Sequence, residues 1–285
     1  MPSTRELRRR IKSVKNISQI TKAMQMVAAT KMRRAQTQAL SGRPYNEALN
    51  FALSKLTGKV SDTSHPLLTI NSATGVATVL LSTDKSLCGA LNTNLFRAVL
   101  NSKEPLGDFY TVGSKGKNFV VKTGKKLGAD FENPEKVSFH QAVVIAKTLI
   151  EAYLKGEIKE AYLAYPKFIS TLRQEPTIIK ILPISPQVTE SPTKEATSNS
   201  KEYLFEPTTE ELLDFVVTHY LKVQIYQAMV ETKASEWSAR MMAMQNATDN
   251  AKDLVEDLNL TYNQTRQNNI TQELLEITTA GLALQ

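Results

Sequence analysis

Apolar residues near the start of the chain recur at steps of three and four. Ile11, Val14, Ile17, Ile20, Met24 and Val27 form one stripe, the spacing of a helix face that needs a partner. Ala23, Ala28, Ala29, Ala35 and Ala39 lie among them and permit close helix approach. Ser3-Thr4-Arg5-Glu6 resembles a capping box, with Ser3 as N-cap and Glu6 three positions on. Residues 3–41 contain neither Gly nor Pro, then Gly42-Arg43-Pro44 predicts a kink or interruption. Tyr45 to Leu56 resumes the helix before Thr57-Gly58.

A second apolar pattern runs through Leu213, Val216, Val217, Tyr220, Val223, Met229, Trp237, Met241, Met244, Ala251, Leu254, Val255 and Leu258. It opens at Pro207-Thr208-Thr209-Glu210-Glu211, a capped start with acids in the first turn. No Gly or Pro occurs from 208 to 280. A helix of that length spans roughly 110 Å at about 1.5 Å per residue, far beyond a compact domain. The pattern predicts an antiparallel coiled coil between the two ends. The competing arrangement is a helical bundle broken near Asn246 or Asn259–Asn263.

Between the two ends the period changes. Val76–Ser82, Phe109–Val112, Glu160–Ile169 and Thr177–Leu182 read as strands, and Asn94–Asn101 and Gln141–Leu154 as helices. Their alternation predicts a small, largely parallel, Rossmann-like sheet covered by helices. The fold class expected is α/β with long terminal helices. The divisions expected are a helix over 1–58, an α/β domain over 70–184, a linker over 185–206 and a helix over 207–285. Ile184–Ser200, rich in Ser, Thr and Pro, reads as that linker.

Charge refines this picture. The 285 residues carry a net +7, which alone would invite a nucleic-acid or membrane partner. Residues 1–45 hold +10, residues 46–204 hold +4 and residues 205–285 hold −7. Arg5, Arg8, Arg9, Arg10, Lys12 and Lys15 are basic, but no aromatic precedes Tyr45 to stack on bases. An acidic helix in the same chain can neutralise part of the charge, so nucleic acid is not the expected partner. No apolar run reaches the 18–20 residues or so of a membrane span. The first residues lack the apolar core of a secretory signal.

Candidate chemistry is sparse. His65, His140 and His219 lie in separate segments without metal-ligand spacing. No phosphate loop or dinucleotide fingerprint follows the first strand. The turn Thr83-Asp84-Lys85-Ser86-Leu87-Cys88-Gly89-Ala90-Leu91-Asn92 reads either as a site built on Asp84, Lys85 and Cys88 or as a loop that closes the sheet and caps a helix. Cys88 lacks an identifiable base and, being the single cysteine, has no intramolecular disulfide partner. Trp237, Met241, Met242 and Met244 read as packing.

Three blocks carry a family resemblance. They are Ile20-Thr21-Lys22-Ala23-Met24-Gln25-Met26-Val27-Ala28-Ala29-Thr30-Lys31-Met32 with Arg43-Pro44-Tyr45, the turn from Thr83 to Asn92, and Tyr262-Asn263-Gln264-Thr265-Arg266-Gln267-Asn268-Asn269-Ile270-Thr271-Gln272-Glu273-Leu274. In this order the chain resembles the γ subunits of F-type ATP synthases over its full length. The family usually carries Gly at Ser86 and often at Ala90, which alters a turn.

The resemblance implies a central rotor shaft. Its terminal helices would form a coiled coil inside a hexamer of α and β subunits. Its α/β domain would meet the c-ring and the ε subunit. It implies no catalytic residue, cofactor or metal in this chain, the catalytic sites being on β. Arg266 and Gln267 would contact a β-subunit loop, and Thr271, Glu273, Lys22, Met24 and Arg240 would serve coupling. The apolar end (Leu274, Leu275, Ile277, Ala280, Leu282, Ala283 and Leu284) would turn in an apolar sleeve. The implied location is the cytoplasmic face of a bacterial plasma membrane, as a peripheral protein.

Overall fold

The computed structural model describes residues 3–57, 65–185 and 208–283. The chain forms two compact units: Lys31–Ala239, and Met1–Thr30 with Arg240–Gln285. The expected linker falls, apart from Ser185, outside the described residues.

Along the chain the elements are α1 (Thr4–Thr57), β1 (Gly75–Leu81), α2 (Leu91–Leu100), β2 (Asp108–Val112), α3 (Ser114–Lys122), β3 (Leu127–Phe131), α4 (Phe139–Leu154), β4 (Ile158–Phe168), β5 (Gln174–Leu182) and α5 (Thr209–Ala283). The sheet of the larger unit has the order β3-β2-β1-β4-β5. β1, β2, β3 and β4 pair in parallel, and β5 closes the edge antiparallel to β4. Period-two alternation sends Ala77, Val79 and Leu81 to one face and Leu80 to the other. The first face packs on α4 and on the parts of α1 and α5 within this unit, through Leu53, Leu149, Leu163, Leu221 and Ile225. The second packs on α2 and α3 through Leu95, Val99, Phe109 and Val120.

Two elements are additions to the pattern read from sequence, α3 and β3. The stretch Ser-Lys-Gly-Lys-Asn-Phe-Val-Val-Lys of α3 is short and mostly polar, and β3 is a half-exposed edge strand. Neither carries enough apolar residues to stand out from a loop. Their support is tertiary. Ser82 Oγ accepts the Gly116 N–H at 2.8 Å and lies 3.1 Å from the Val112 carbonyl it donates to. Gly113 turns the chain at φ 99°, and a Cβ there would lie 2.5 Å from the Ser82 carbonyl oxygen, so only glycine fits.

Of the kink or interruption expected at Gly42-Arg43-Pro44, the interruption is corrected by the structure: α1 is continuous through it. A helix-interior proline costs about 3 kcal/mol, so the segment must be held from outside. Gln227 Nε2 donates to the Ala39 carbonyl at 3.0 Å, and Arg43 donates to the Phe168 carbonyl at 2.8 Å. A Cβ at position 42 would lie 2.5 Å from Gln227 Oε1. Gly42 therefore serves close approach of α5, not a break.

α5 is likewise unbroken through Asn246 and Asn259–Asn263. Thr208 caps it, accepting the Glu211 N–H at 3.3 Å. At the start of α1, Ser3 Oγ accepts the Glu6 N–H at 3.2 Å, while the Glu6 carboxylate pairs with Arg10 at 2.6 Å.

Candidate interface on the helix pair

The smaller unit is an antiparallel pair made of the first part of α1 and the second part of α5. Thr248 Oγ1 donates to Thr21 Oγ1 at 2.7 Å, and Arg8 donates to the Tyr262 hydroxyl at 2.7 Å with its guanidinium over the ring. These contacts set the register. Leu7, Ile11, Val14, Ser18, Thr21, Gln25 and Ala28 are buried or half-buried, and so are Met244, Thr248, Ala251, Val255, Leu258, Tyr262 and Thr265. Both series advance by alternating threes and fours, a strict 3.5-residue repeat.

This corrects the stripe read from sequence. Ile11 and Val14 lie in the seam, but Ile17, Ile20 and Val27 are 49%, 59% and 53% exposed. Counting steps of three from Val14 drifts off the 3.5-residue repeat, and the seam takes up Ser18 and Thr21. On α5, Leu254 also faces outward. The seam is thus mixed in polarity, with a hydroxyl–hydroxyl bond at its centre, while branched aliphatic side chains face outward. The heptad spacing was present in the sequence; its small polar residues concealed it.

In this register the first residue of α1, Thr4, falls beside about position 266 of α5. Every residue from Arg266 to Ala280 is exposed, including Ile270, Leu274, Leu275 and Ile277 at 48–68%. Among the described residues of the unit, no helix lies beside this end of α5. Of the expected apolar end, the side chains of Leu282, Ala283 and Leu284 lie outside the described residues.

The residues singled out by resemblance fall in two patches. Lys22 is exposed and Met24 half-buried, both near the Thr21–Thr248 contact. Arg240 lies about two turns from Thr248 along α5 and is 5% exposed and already engaged within the chain. Arg266, Gln267, Thr271 and Glu273 are all exposed, roughly 40 Å from Arg240 along the helix at 1.5 Å per residue. The Thr271 hydroxyl turns back to the Gln267 carbonyl at 3.0 Å, which places the two on one face. The charged groups Arg266 and Glu273 stand on a single helix with apolar residues between and beyond them. Such a surface suits docking into a partner groove.

The turn after β1 ties the sheet to the start of α3. Asn92 Nδ2 donates to Thr83 Oγ1 at 2.7 Å and lies 3.4 Å from the Cys88 sulfur. The Asp84 carboxylate accepts the Ser114 N–H at 2.8 Å, at the start of α3. Cys88 is buried, and Leu87 and Gly89 take positive φ in the tight turn. Among the described residues no group of three His, Cys, Asp or Glu could hold a metal. No described helix is long and apolar enough to cross a membrane.

Two histidines do structural work in the larger unit. His65 Nδ1 accepts the Leu67 N–H at 3.1 Å and its Nε2 meets Asp214 at 3.0 Å. His219 Nε2 meets the Tyr45 hydroxyl at 2.8 Å beneath the stacked Phe215 ring. Burial, then the nearby Lys222 charge, pushes the His219 pKa down. The folded state therefore favours the neutral ring, and its contribution to stability is present above the unfolded pKa of about 6.5 and is lost as pH falls. Thermal melts at pH 7.5 and 5.5 are expected to show a smaller pH-dependent drop in Tm for His219→Gln than for the parent chain. An equal drop in both would assign the pH dependence to another group.

A family model described as ATP synthase matches residues 3–284. The ATP synthase gamma chain of Methylacidiphilum infernorum is 42% identical over 295 aligned residues, covering 100% of both chains. That of Heliobacterium modesticaldum is 40% identical over 289, again covering 100% of both. Among solved structures, a chain of the Euglena gracilis mitochondrial ATP synthase (OSCP/F1/c-ring, rotational state 3) has a TM-score of 0.68 at 20% identity, covering 99% of this chain and 94% of that one. A central stalk/c-ring chain from Tetrahymena thermophila has a TM-score of 0.58 at 24% identity, covering 80% and 99%. At these identities the structures speak for the fold alone.

Proposed function

The chain belongs to the ATP synthase gamma-chain family, and we propose that it acts as the central-stalk rotor, coupling ion-driven rotation of the c-ring to the catalytic sites of the β subunits. It breaks no bond itself and holds no nucleotide or metal. Its partners are the α and β subunits of the catalytic hexamer, the ε subunit and the c-ring. It reaches the membrane only through the complex, on the cytoplasmic face of a bacterial plasma membrane. The helices over 1–58 and 207–285 form the shaft, and the α/β domain over 70–184 forms the foot.

The observation that carries this reading is the outward-facing aliphatic surface of a helix pair with a mixed seam. A coiled coil that only had to hold itself together would bury Ile17, Ile20 and Val27. Leaving them outside makes sense if a surrounding protein covers them with weak, non-directional contact. The same holds for Leu274, Leu275 and Ile277 beyond the pair. In this reading Arg266, Gln267, Thr271 and Glu273 face a β-subunit loop near the shaft end. Lys22, Met24 and Arg240 form the second coupling patch, with the buried Arg240 acting by positioning the helix.

The test is co-expression with the cognate α, β and ε subunits and isolation through a tag on β. The chain should co-purify as one copy per hexamer and raise ATP hydrolysis above that of α and β alone. A β-tagged complex that forms and turns over without the chain would end this reading.

A further inference from the structure

On the larger unit a cleft of about 350 Å³ opens between α1, α5 and the loop that leads into α4. Lys31 and Arg34 line it from α1, Lys233 and Trp237 from α5, and Glu135 and Lys136 from the loop. Lys31 Nζ lies 4.7 Å from the centroid of the Trp237 ring and pairs with the Glu135 carboxylate. Lys233, with a side chain only 10% exposed, pairs with Glu236 at 3.3 Å. Arg34 and Lys136 are exposed and have no acidic partner among the described residues. Four cations thus meet two acids, an excess of two positive charges.

Glu135 reports the field of this place. The hydrogen bond from Lys31, then the charge of Lys31, hold its carboxyl below the usual carboxylate range, and the charges of Lys85 and Lys233 act in the same direction. An anion is therefore already favoured at this point of the cleft. The Glu135 side chain is nevertheless 69% exposed. An ion pair so open to solvent holds weakly, so the carboxylate can swing out and leave Lys31 to another anion. Charge and shape narrow the class of that anion. Two surplus cations match a dianion, which competes well against a singly charged carboxylate. Ammonium groups together with one guanidinium suit a tetrahedral oxyanion, whose oxygens accept from several sides.

We propose that this cleft binds a small phosphate anion, orthophosphate or pyrophosphate, which displaces the Glu135 carboxylate and is held by Lys31, Arg34, Lys136 and Lys233. The site stands on the geometry of this unit and is independent of the rotor reading.

The test is calorimetric titration of the full-length chain with pyrophosphate and with orthophosphate at fixed ionic strength. Whichever binds more tightly identifies the source of the phosphate group. Glu135→Gln removes the competing carboxylate and should tighten binding about tenfold. The double variant Arg34→Gln with Lys136→Gln should weaken it by about tenfold or more. All three positions are exposed, so the variants should fold as the parent does. Trp237 is the chain's single tryptophan, and its emission should change with the same midpoint as the heat. Glutarate, a dicarboxylate of similar charge, should bind at least about tenfold more weakly. Four results would each overturn the proposal: no binding to the parent or to Glu135→Gln, an affinity unmoved by the variants, Trp237 emission unchanged at saturation, or glutarate bound as tightly as phosphate. The last would make the cleft a site for carboxylates, such as those of an acidic peptide.

Discussion

Arg266→Glu is expected to reduce ATP-driven ion pumping roughly tenfold or more in membranes carrying the variant complex, with the helical content of the isolated chain unchanged. The magnitude is that of reversing a charge at a protein interface. The structural basis is the exposure of residue 266, at the point of α5 where the pairing with α1 ends among the described residues. Glutamate and arginine have similar helix propensity, so the helix has no reason to melt. Circular dichroism checks that half, and quenching of a pH-sensitive dye in inverted vesicles checks the other. Pumping at the parent rate would remove Arg266 from the proposed interface. Lost helicity would make it a structural residue. Thr271→Ala is a useful companion, since its hydroxyl bonds only to its own helix in the described structure and the change is expected to be mild.

Arg43→Ala is expected to destabilise the chain by about 3 kcal/mol, near the lower end of the range for stripping one partner from a buried pair. Arg43 is itself 37% exposed, but Glu231 is not, with 6% side-chain exposure. Removing the guanidinium leaves that carboxylate buried with Gln227 as its remaining donor. It also removes the bond to the Phe168 carbonyl that helps hold α1 across Pro44. At this chain length a loss of that size corresponds to roughly 6–12 °C in Tm. The double variant Arg43→Ala with Glu231→Met should recover a large part, because the uncompensated charge is gone. Chemical denaturation of the four chains of this cycle measures the coupling. A single variant as stable as the parent would mean that solvent reaches Glu231 freely.

Several features were legible before folding. The absence of Gly and Pro over 208–280, with the apolar positions repeating through it, announced one long helix, and α5 is that helix. Val76–Ser82 announced a buried parallel strand through its unbroken apolar run, and β1 sits at the interior of the sheet. Local chemistry was also readable: Ser3 and Thr208 cap their helices as their positions implied. Less was legible at the candidate interface. The block around Arg266 pointed to its residues, but their exposure depends on where α1 begins relative to α5. That relation is a register, set by contacts between residues more than two hundred positions apart.

The sequence by itself determined the types of eight of the ten elements, the parallel core of the sheet and the opposite charge of the two ends. These follow from short-range sterics, from side-chain periodicity and from counting charges. Tertiary structure alone decided which helix face became the seam. Ser18 and Thr21 are buried and Ile17 and Ile20 are not, because a 3.5-residue repeat shared by two helices outweighs the hydrophobicity of single positions. It also decided that Gly42 and Pro44 sit inside a helix, since Gln227 and Arg43 bond across the place where a free chain would break. Likewise, α3 and β3 exist because Ser82 and a sheet edge receive them. In each case the deciding contact joins residues far apart in the chain, and no local pattern records it.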